Sequence, residues 1–274
     1  MIPASILAAL IVGGQNYVGG QQNLAAYCQD STINAIPMAF LNKFFSTGGL
    51  PEIDLGNTCN ATSNGVFPGT SLANCQFLAT DIEGCQRANK SVTLSLGGAT
   101  GVDSLASDAQ GVEFANTIWD LFLGGSSDTR PFGSAVLDGV DLDIEAGSPT
   151  GFAAFVNQIR NLSADASKQY YVTAAPQCPF PDAHLGDALN AANYDAIYVQ
   201  FYNNLCGLST PDTFDFWAWD TWAKTVSPNK NVKIFIGAPA APAAADGYVD
   251  AETLGALAVS TRSQFSSFGG VMLW

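Results

Sequence analysis

The chain has 274 residues, of which 47% are hydrophobic and 12% charged, with a formal net charge of -14. So apolar a composition buries a large core and excludes a disordered chain. The acidic balance repels phosphate, which argues against nucleic acid or anionic lipid as a partner.

In chain order, short apolar runs rich in β-branched residues alternate with amphipathic stretches. The runs are 8–12, 35–41, 91–96, 136–144, 171–175, 196–201, 232–236 and 270–273, and each reads as a buried parallel strand. Residues 1–12 are apolar without a basic flank, so they read as a first strand or as the remnant of a secretory signal. No stretch is long and apolar enough to span a bilayer. Helices are expected over 21–28, 111–123, 150–162, 183–192, 216–226 and 251–265. The third of these sets Phe152, Phe155, Val156 and Ile159 on one face, at helical spacing. Trp217, Trp219 and Trp222 share the helix over 216–226 and are read as packing residues. The Gly/Asn/Thr-rich segment 56–73 has no periodicity and reads as a long loop. Strand and helix alternating in this way predict one (β/α)₈ barrel over residues 1–274, with a doubly wound open sheet as the alternative. The sequence stops at Trp274, directly after the eighth run, so the barrel is expected to lack its final helix.

His184 is the one histidine. A zinc site built on two or three histidines is thereby excluded, and any general acid or base is expected to be a carboxylate. His184 itself reads as a surface or capping residue. Six cysteines, at 28, 59, 75, 85, 178 and 206, show no C-x-x-C spacing. An even, widely spaced set suggests disulfides and an oxidising compartment, without fixing the pairing. Sequons at Asn60, Asn89 and Asn161 point the same way.

The most informative segment is Asp138-Gly139-Val140-Asp141-Leu142-Asp143-Ile144-Glu145. Strand alternation puts Val140, Leu142 and Ile144 on one face and Asp141, Asp143 and Glu145 on the other. In a barrel the apolar face meets the helices and the acidic face lines the interior. Alternate residues sit roughly 6–7 Å apart. Three carboxylates so placed cannot all ionise, and at least one holds a proton near neutral pH. Glu145 comes last, at the mouth where barrel enzymes place their sites. A protonated acid there suits cleavage of a glycosidic bond. Two other readings exist: an antiparallel strand with its acids in water, and a divalent-metal site. The first leaves the strand–helix alternation unexplained. The second is weakened because the other strand ends supply amides and aromatics.

The pattern Asp138-x-x-Asp141-x-Asp143-x-Glu145 resembles the signature of family 18 glycoside hydrolases, and Ser95-Leu96-Gly97-Gly98 resembles the family's second motif. Gly14-Gln15-Asn16, Phe40-Leu41-Asn42, Ala174-Ala175-Pro176-Gln177-Cys178, Val199-Gln200-Phe201-Tyr202-Asn203-Asn204 and Trp274 resemble the strand ends of its class III, hevamine-like plant and fungal branch. Gly13 departs from that branch, which carries an aromatic there. The resemblance implies a secreted, monomeric, cofactor-free and metal-free endo-chitinase acting on chitin or chito-oligosaccharides. It implies Glu145 as acid and base, and Asp143 as the residue that orients the substrate's N-acetyl group. Asp141 would share a proton with Asp143, and Tyr202 would hydrogen-bond the acetamide. Gln200, Asn42, Gln15 and Asn203 would contact sugar, and Trp274 would floor the central subsite. The pairing it implies is Cys28–Cys85, Cys59–Cys75 and Cys178–Cys206. The rival function is a catalytically inactive lectin or hydrolase inhibitor on the same barrel.

Overall fold

A computed structural model describes residues 9–12, 22–101 and 104–274. Its elements run β1 (Ala9–Val12), α1 (Leu24–Cys28), β2 (Ile33–Leu41), α2 (Ala61–Asn64), α3 (Ala79–Arg87), β3 (Ser91–Gly97), α4 (Asp108–Phe122), β4 (Gly139–Asp143), α5 (Phe152–Ser163), β5 (Tyr171–Ala174), α6 (Gly186–Ala191), β6 (Ala196–Gln200), α7 (Phe216–Thr225), β7 (Lys233–Ala238), α8 (Ala251–Gln264) and β8 (Phe268–Leu273). The eight strands are all parallel, follow one another in sequence order and close on themselves through β1 and β8. All eight expected strands are present, so the closed barrel replaces the open-sheet alternative. β8 is the last described element.

Period-2 alternation divides each strand between two cores. Outward-facing Val92, Leu94, Val140, Leu142, Val172, Ile197, Val199, Ile234 and Ile236 pack in one large apolar cluster with the helix faces. From α5 that cluster takes Phe152, Phe155, Val156 and Ile159, the stripe expected from the spacing. A second, smaller cluster inside the barrel holds Ala175, Ala196, Tyr198, Phe235 and Met272. The Tyr198 and Phe235 rings meet edge to face at 5.2 Å. These side chains pack within the barrel interior.

Three differences from the sequence expectations have physical causes. The amphipathic stretch that forms α3 lies between two loops, and only Ile82 and Cys85 on it are buried, too few for a helical period to register. The segment 56–73 is more structured than a loop. It forms α2, capped by Asn60 Oδ1 accepting from the N–H groups of Thr62 and Ser63, and it sends Phe67 and Leu72 into the core. Trp217 does not pack with Trp219 and Trp222; it is 62% exposed, while the other two are buried.

Disulfides join Cys28 to Cys85, Cys59 to Cys75 and Cys178 to Cys206. The first ties α1 to α3. The second closes the 56–73 segment on itself, from Cys59 to Cys75 just beyond its end. The third links the loops that follow β5 and β6, both of which border the mouth.

Candidate active site

The register of β3, β4 and β5 sets Ser95, Asp141 and Thr173 side by side on the inward face. Asp141 is 3% exposed. Its two oxygens accept from the Ser95 hydroxyl at 2.7 Å and the Thr173 hydroxyl at 2.6 Å. One step nearer the mouth, Gly97 pairs with Asp143. Gly97 has φ +105, and a Cβ there would lie 2.3 Å from the Asp143 carbonyl oxygen. The next residue, Gly98, donates its N–H to that same carbonyl at 2.8 Å, and a Cβ on it would strike the Phe40 ring. The Ser-Leu-Gly-Gly run therefore has a steric reason: the acid-bearing strand and Phe40 press against its backbone. Asp143 Oδ1 accepts from Gln200 Nε2 at 2.8 Å, and the other Gln200 amide hydrogen goes to the Ala175 carbonyl at 2.9 Å. Gln200 thus fixes Asp143 from the floor of the site.

Above these acids opens a cleft of about 290 Å³, bordered by Asn42, Asp143, Glu145, Gln200, Tyr202 and Trp274 among others. A small cavity of about 30 Å³ continues downward between Asp141, Tyr198 and Met272. Glu145 follows the end of β4 by two residues and is half-buried at the cleft wall. No Lys or Arg forms an ion pair with Asp141, Asp143 or Glu145 among the described residues. Burial consequently dominates their titration. It pushes Asp141 above the usual carboxylate range against the pull of the Thr173 and Ser95 hydroxyls. It pushes Asp143 well above that range, helped by the Glu145, Asp141 and Asp182 charges. Glu145 is raised too, first by burial. The Tyr202 phenol is raised well above its ordinary value by burial and by the acids, so it stays a hydrogen-bond donor.

The other expected site residues fall as follows. Trp274 leans on Phe40, ring centroids 5.4 Å apart, and reaches both cavities. Asn42 has a buried Oδ1 with no hydrogen-bond partner, an acceptor left open at the cleft wall. Asn203 borders the cleft, with its Oδ1 accepting from the Asp246 N–H at 2.9 Å. Gly13 and Gln15 lie outside the described residues. The two oxygens of Asp141 meet hydroxyls rather than Asp143, so the expected shared proton has no direct hydrogen bond to travel along.

Several site neighbours had no signal in the sequence. Asp182 is buried, and its carboxylate accepts from three backbone N–H groups, of Gln177, His184 and Leu185, at 2.9, 2.9 and 2.7 Å. His184, expected at the surface or as a cap, is half-buried, and its ring reaches the Gly147 carbonyl on the loop of Glu145. Asp182 and His184 lie some 40 residues from Glu145, on a loop that runs up to Gly186, where the helix expected from residue 183 begins, and no spacing ties them to the acid. Among the described residues, one group of thiol and carboxylate atoms lies close enough to share an ion, Cys178, Cys206 and Asp215, and its two sulfurs are bonded to each other. No residue of the 56–73 segment borders the cleft.

The barrel agrees with comparisons to known proteins. The chain is 51% identical over 265 residues to chitinase 2 of Rhizopus oligosporus, covering 95% of this chain and 47% of that protein. It spans about half the length of that protein and of two further curated chitinases that it matches. Among solved structures, a chitinase from Ipomoea carnea superposes with a TM-score of 0.82 at 33% identity, covering 97% of this chain and 94% of the other. A xylanase and α-amylase inhibitor protein from Scadoxus multiflorus superposes with a TM-score of 0.81 at 32% identity, covering 97% and 92%. The family model "Glycosyl hydrolases family 18" matches residues 14–258. That match spans most of the chain and includes the acids of β4 and their glycine neighbours, so the chain belongs to the family 18 glycosyl hydrolases.

Proposed function

We propose that this chain is a secreted, monomeric endo-chitinase that cuts β-1,4-linked N-acetylglucosamine polymers with retention of configuration. The observation that carries the reading is Glu145. It stands at the open end of β4, over two buried acids that no cation neutralises among the described residues, and faces a cleft with Trp274 on its wall. The names of the relatives support the substrate class.

In this reading the raised Glu145 carboxyl gives its proton to the glycosidic oxygen, and the C1–O bond breaks. The substrate's own acetamide oxygen closes on C1 to form an oxazolinium ring. Such substrate assistance spares the protein a carboxylate nucleophile. Asp143, held by Gln200, orients the acetamide N–H, and the Tyr202 hydroxyl donates to its carbonyl oxygen. Glu145, now a carboxylate, takes a proton from water as that water attacks C1 and reopens the ring. The open Asn42 carbonyl accepts a sugar hydroxyl or amide, and the Trp274 ring stacks on the apolar face of a pyranose. Three disulfides favour an oxidising compartment. No described helix is long and apolar enough to cross a membrane.

The test is digestion of an N-acetylglucosamine hexamer by the protein and by Glu145→Gln, reading product sizes and the anomer formed first. Internal cuts giving β-anomers, lost in the variant, are expected. A folded protein that binds the hexamer without cutting it would sink the reading and favour a lectin or inhibitor.

A further inference from the structure

We propose that His184 is a positioning residue for Glu145: its imidazole braces the loop that carries the acid and brings a group able to carry positive charge beside acids that no Lys or Arg pairs among the described residues. This inference rests on the reading of Glu145 as the acid.

The geometry begins at Asp182. Its buried carboxylate gathers the N–H groups of Gln177, His184 and Leu185 and so fixes the turn that enters α6. From that turn the His184 ring crosses to the loop between β4 and α5, and Nδ1 lies 3.2 Å from the Gly147 carbonyl oxygen. A carbonyl only accepts, so Nδ1 carries the hydrogen and donates, and Nε2 is the nitrogen left to gain or lose a proton. Gly147 stands two residues beyond Glu145. Within the same loop Ser148 and Thr150 bond each other; His184 reaches it from outside.

The electrostatics agree with the geometry. Asp143 from β4, Asp182 and His184 from the loop after β5, and Tyr202 after β6 act on Glu145, and Asp54 borders the same cleft. Burial pushes the Glu145 carboxyl up, the Gln200 amide pulls it back, Asp182 adds to the rise, and a charged His184 lowers it. His184 is thus the one cationic counterweight in the set. A carboxylate that must give a proton in one half of a turnover and take one in the next gains from such a counterweight.

Two variants separate brace from charge. Asn places a neutral amide N–H near the position of Nδ1, so His184→Asn keeps the brace and loses the charge, while His184→Ala loses both. The measurements are the pH profile of kcat/KM on the soluble hexamer, and direct titration of the Glu145 carboxyl by carbon-13 NMR, assigned with Glu145→Gln. For Ala, kcat is expected to fall about tenfold, with the titration and the alkaline limb displaced upward by roughly half a unit. For Asn, most of kcat returns while the displacement remains. A Glu145 titration unmoved in both folded variants would overturn the inference. The NMR titration needs no turnover, so a wild-type protein that fails to cut the hexamer would refute the enzymatic reading alone.

Discussion

Two sets of carboxylates occupy opposite ends of the same barrel, and they are treated in opposite ways. At the base, Asp138, Asp195 and Asp220 each meet a cation: Lys168 at 3.0 Å, Arg160 at 2.8 Å and Lys224 at 2.6 Å. Each also accepts a backbone N–H at or just before the start of a strand, from Val92, Val172 and Ser267. At the mouth, Asp141, Asp143 and Glu145 receive hydroxyls and an amide but no ion pair among the described residues. Asp138 and Asp141 are three residues apart on one stretch of chain, yet they belong to different sets. The lesson is that one acidic motif serves two ends: its first member secures the strand start, and its last three create the titration that chemistry requires.

The comparison can be broken most directly at the mouth. Glu145→Gln should lower kcat on the hexamer by about 10²–10⁴-fold while leaving the melting temperature unchanged or higher. A comparable loss of activity from a base substitution would erase the distinction.

At the base the expected signature is inverted. Asp195→Ala strips Arg160 of its ion-pair partner and Val172 N–H of its acceptor. It should cost about 2 kcal/mol, or roughly 4–8 °C in Tm, with activity per folded molecule retained. Calorimetry beside hexamer turnover checks both halves.

Acid titration should separate the two ends by sign. Asp143 folds with a raised affinity for its proton. Its stabilising contribution is complete below the ordinary carboxylate pKa near 4 and is lost as pH rises through the higher folded value. Burial pushes Asp220 up, but its bonds to Lys224 and Ser267 outweigh that and hold it low. Its contribution is present above the ordinary range and is lost as pH falls through the lowered value. Asp143→Asn should therefore raise Tm more at pH 8 than at pH 5, and Asp220→Asn should lower Tm at both. Melting curves across that range decide the matter; equal shifts at both pH values for Asp143→Asn would refute the assignment.

The smallest effect is expected at Asp215, which precedes α7 with one carboxylate oxygen buried and unpartnered. Burial pushes it up to about 6, so it destabilises the fold as pH rises through that value. Asp215→Asn should raise Tm by a degree or two at pH 7, and by nothing measurable at pH 4.

How much of this was legible follows from the range of each interaction. Buried parallel strands announce themselves through local apolar runs, so all eight could be placed within a few residues. The alternation of Asp141, Asp143 and Glu145 with Val140, Leu142 and Ile144 fixed the two faces of β4 from its own spacing. The partners of those acids were another matter. Ser95 and Thr173 are separated from Asp141 by 46 and 32 residues, and only the closed register brings them into one layer. Gln200 reads as a sugar contact through the family resemblance; that its amide is committed to Asp143 and Ala175 depends on folds of chain with no period. Trp217 reads with its helix neighbours as a packing residue; tryptophans at 217 and 219 point to opposite sides of a helix, and spacing alone does not say which turns outward.

The closure of the barrel also sets an order in time. Leu10 pairs with Val271 across the β1–β8 seam, some 260 residues later in the chain. At roughly 5–20 residues per second of synthesis, the first strand waits at least about 13 seconds for its second neighbour to exist. Until then one edge of the nascent sheet is bare, with apolar Leu10, Ile11 and Val12 along it, and must be shielded by whatever receives the chain. Joining β1 to β8 through a new linker and opening the chain at a surface loop would remove that wait, and would show whether the seam limits how fast the molecule is made.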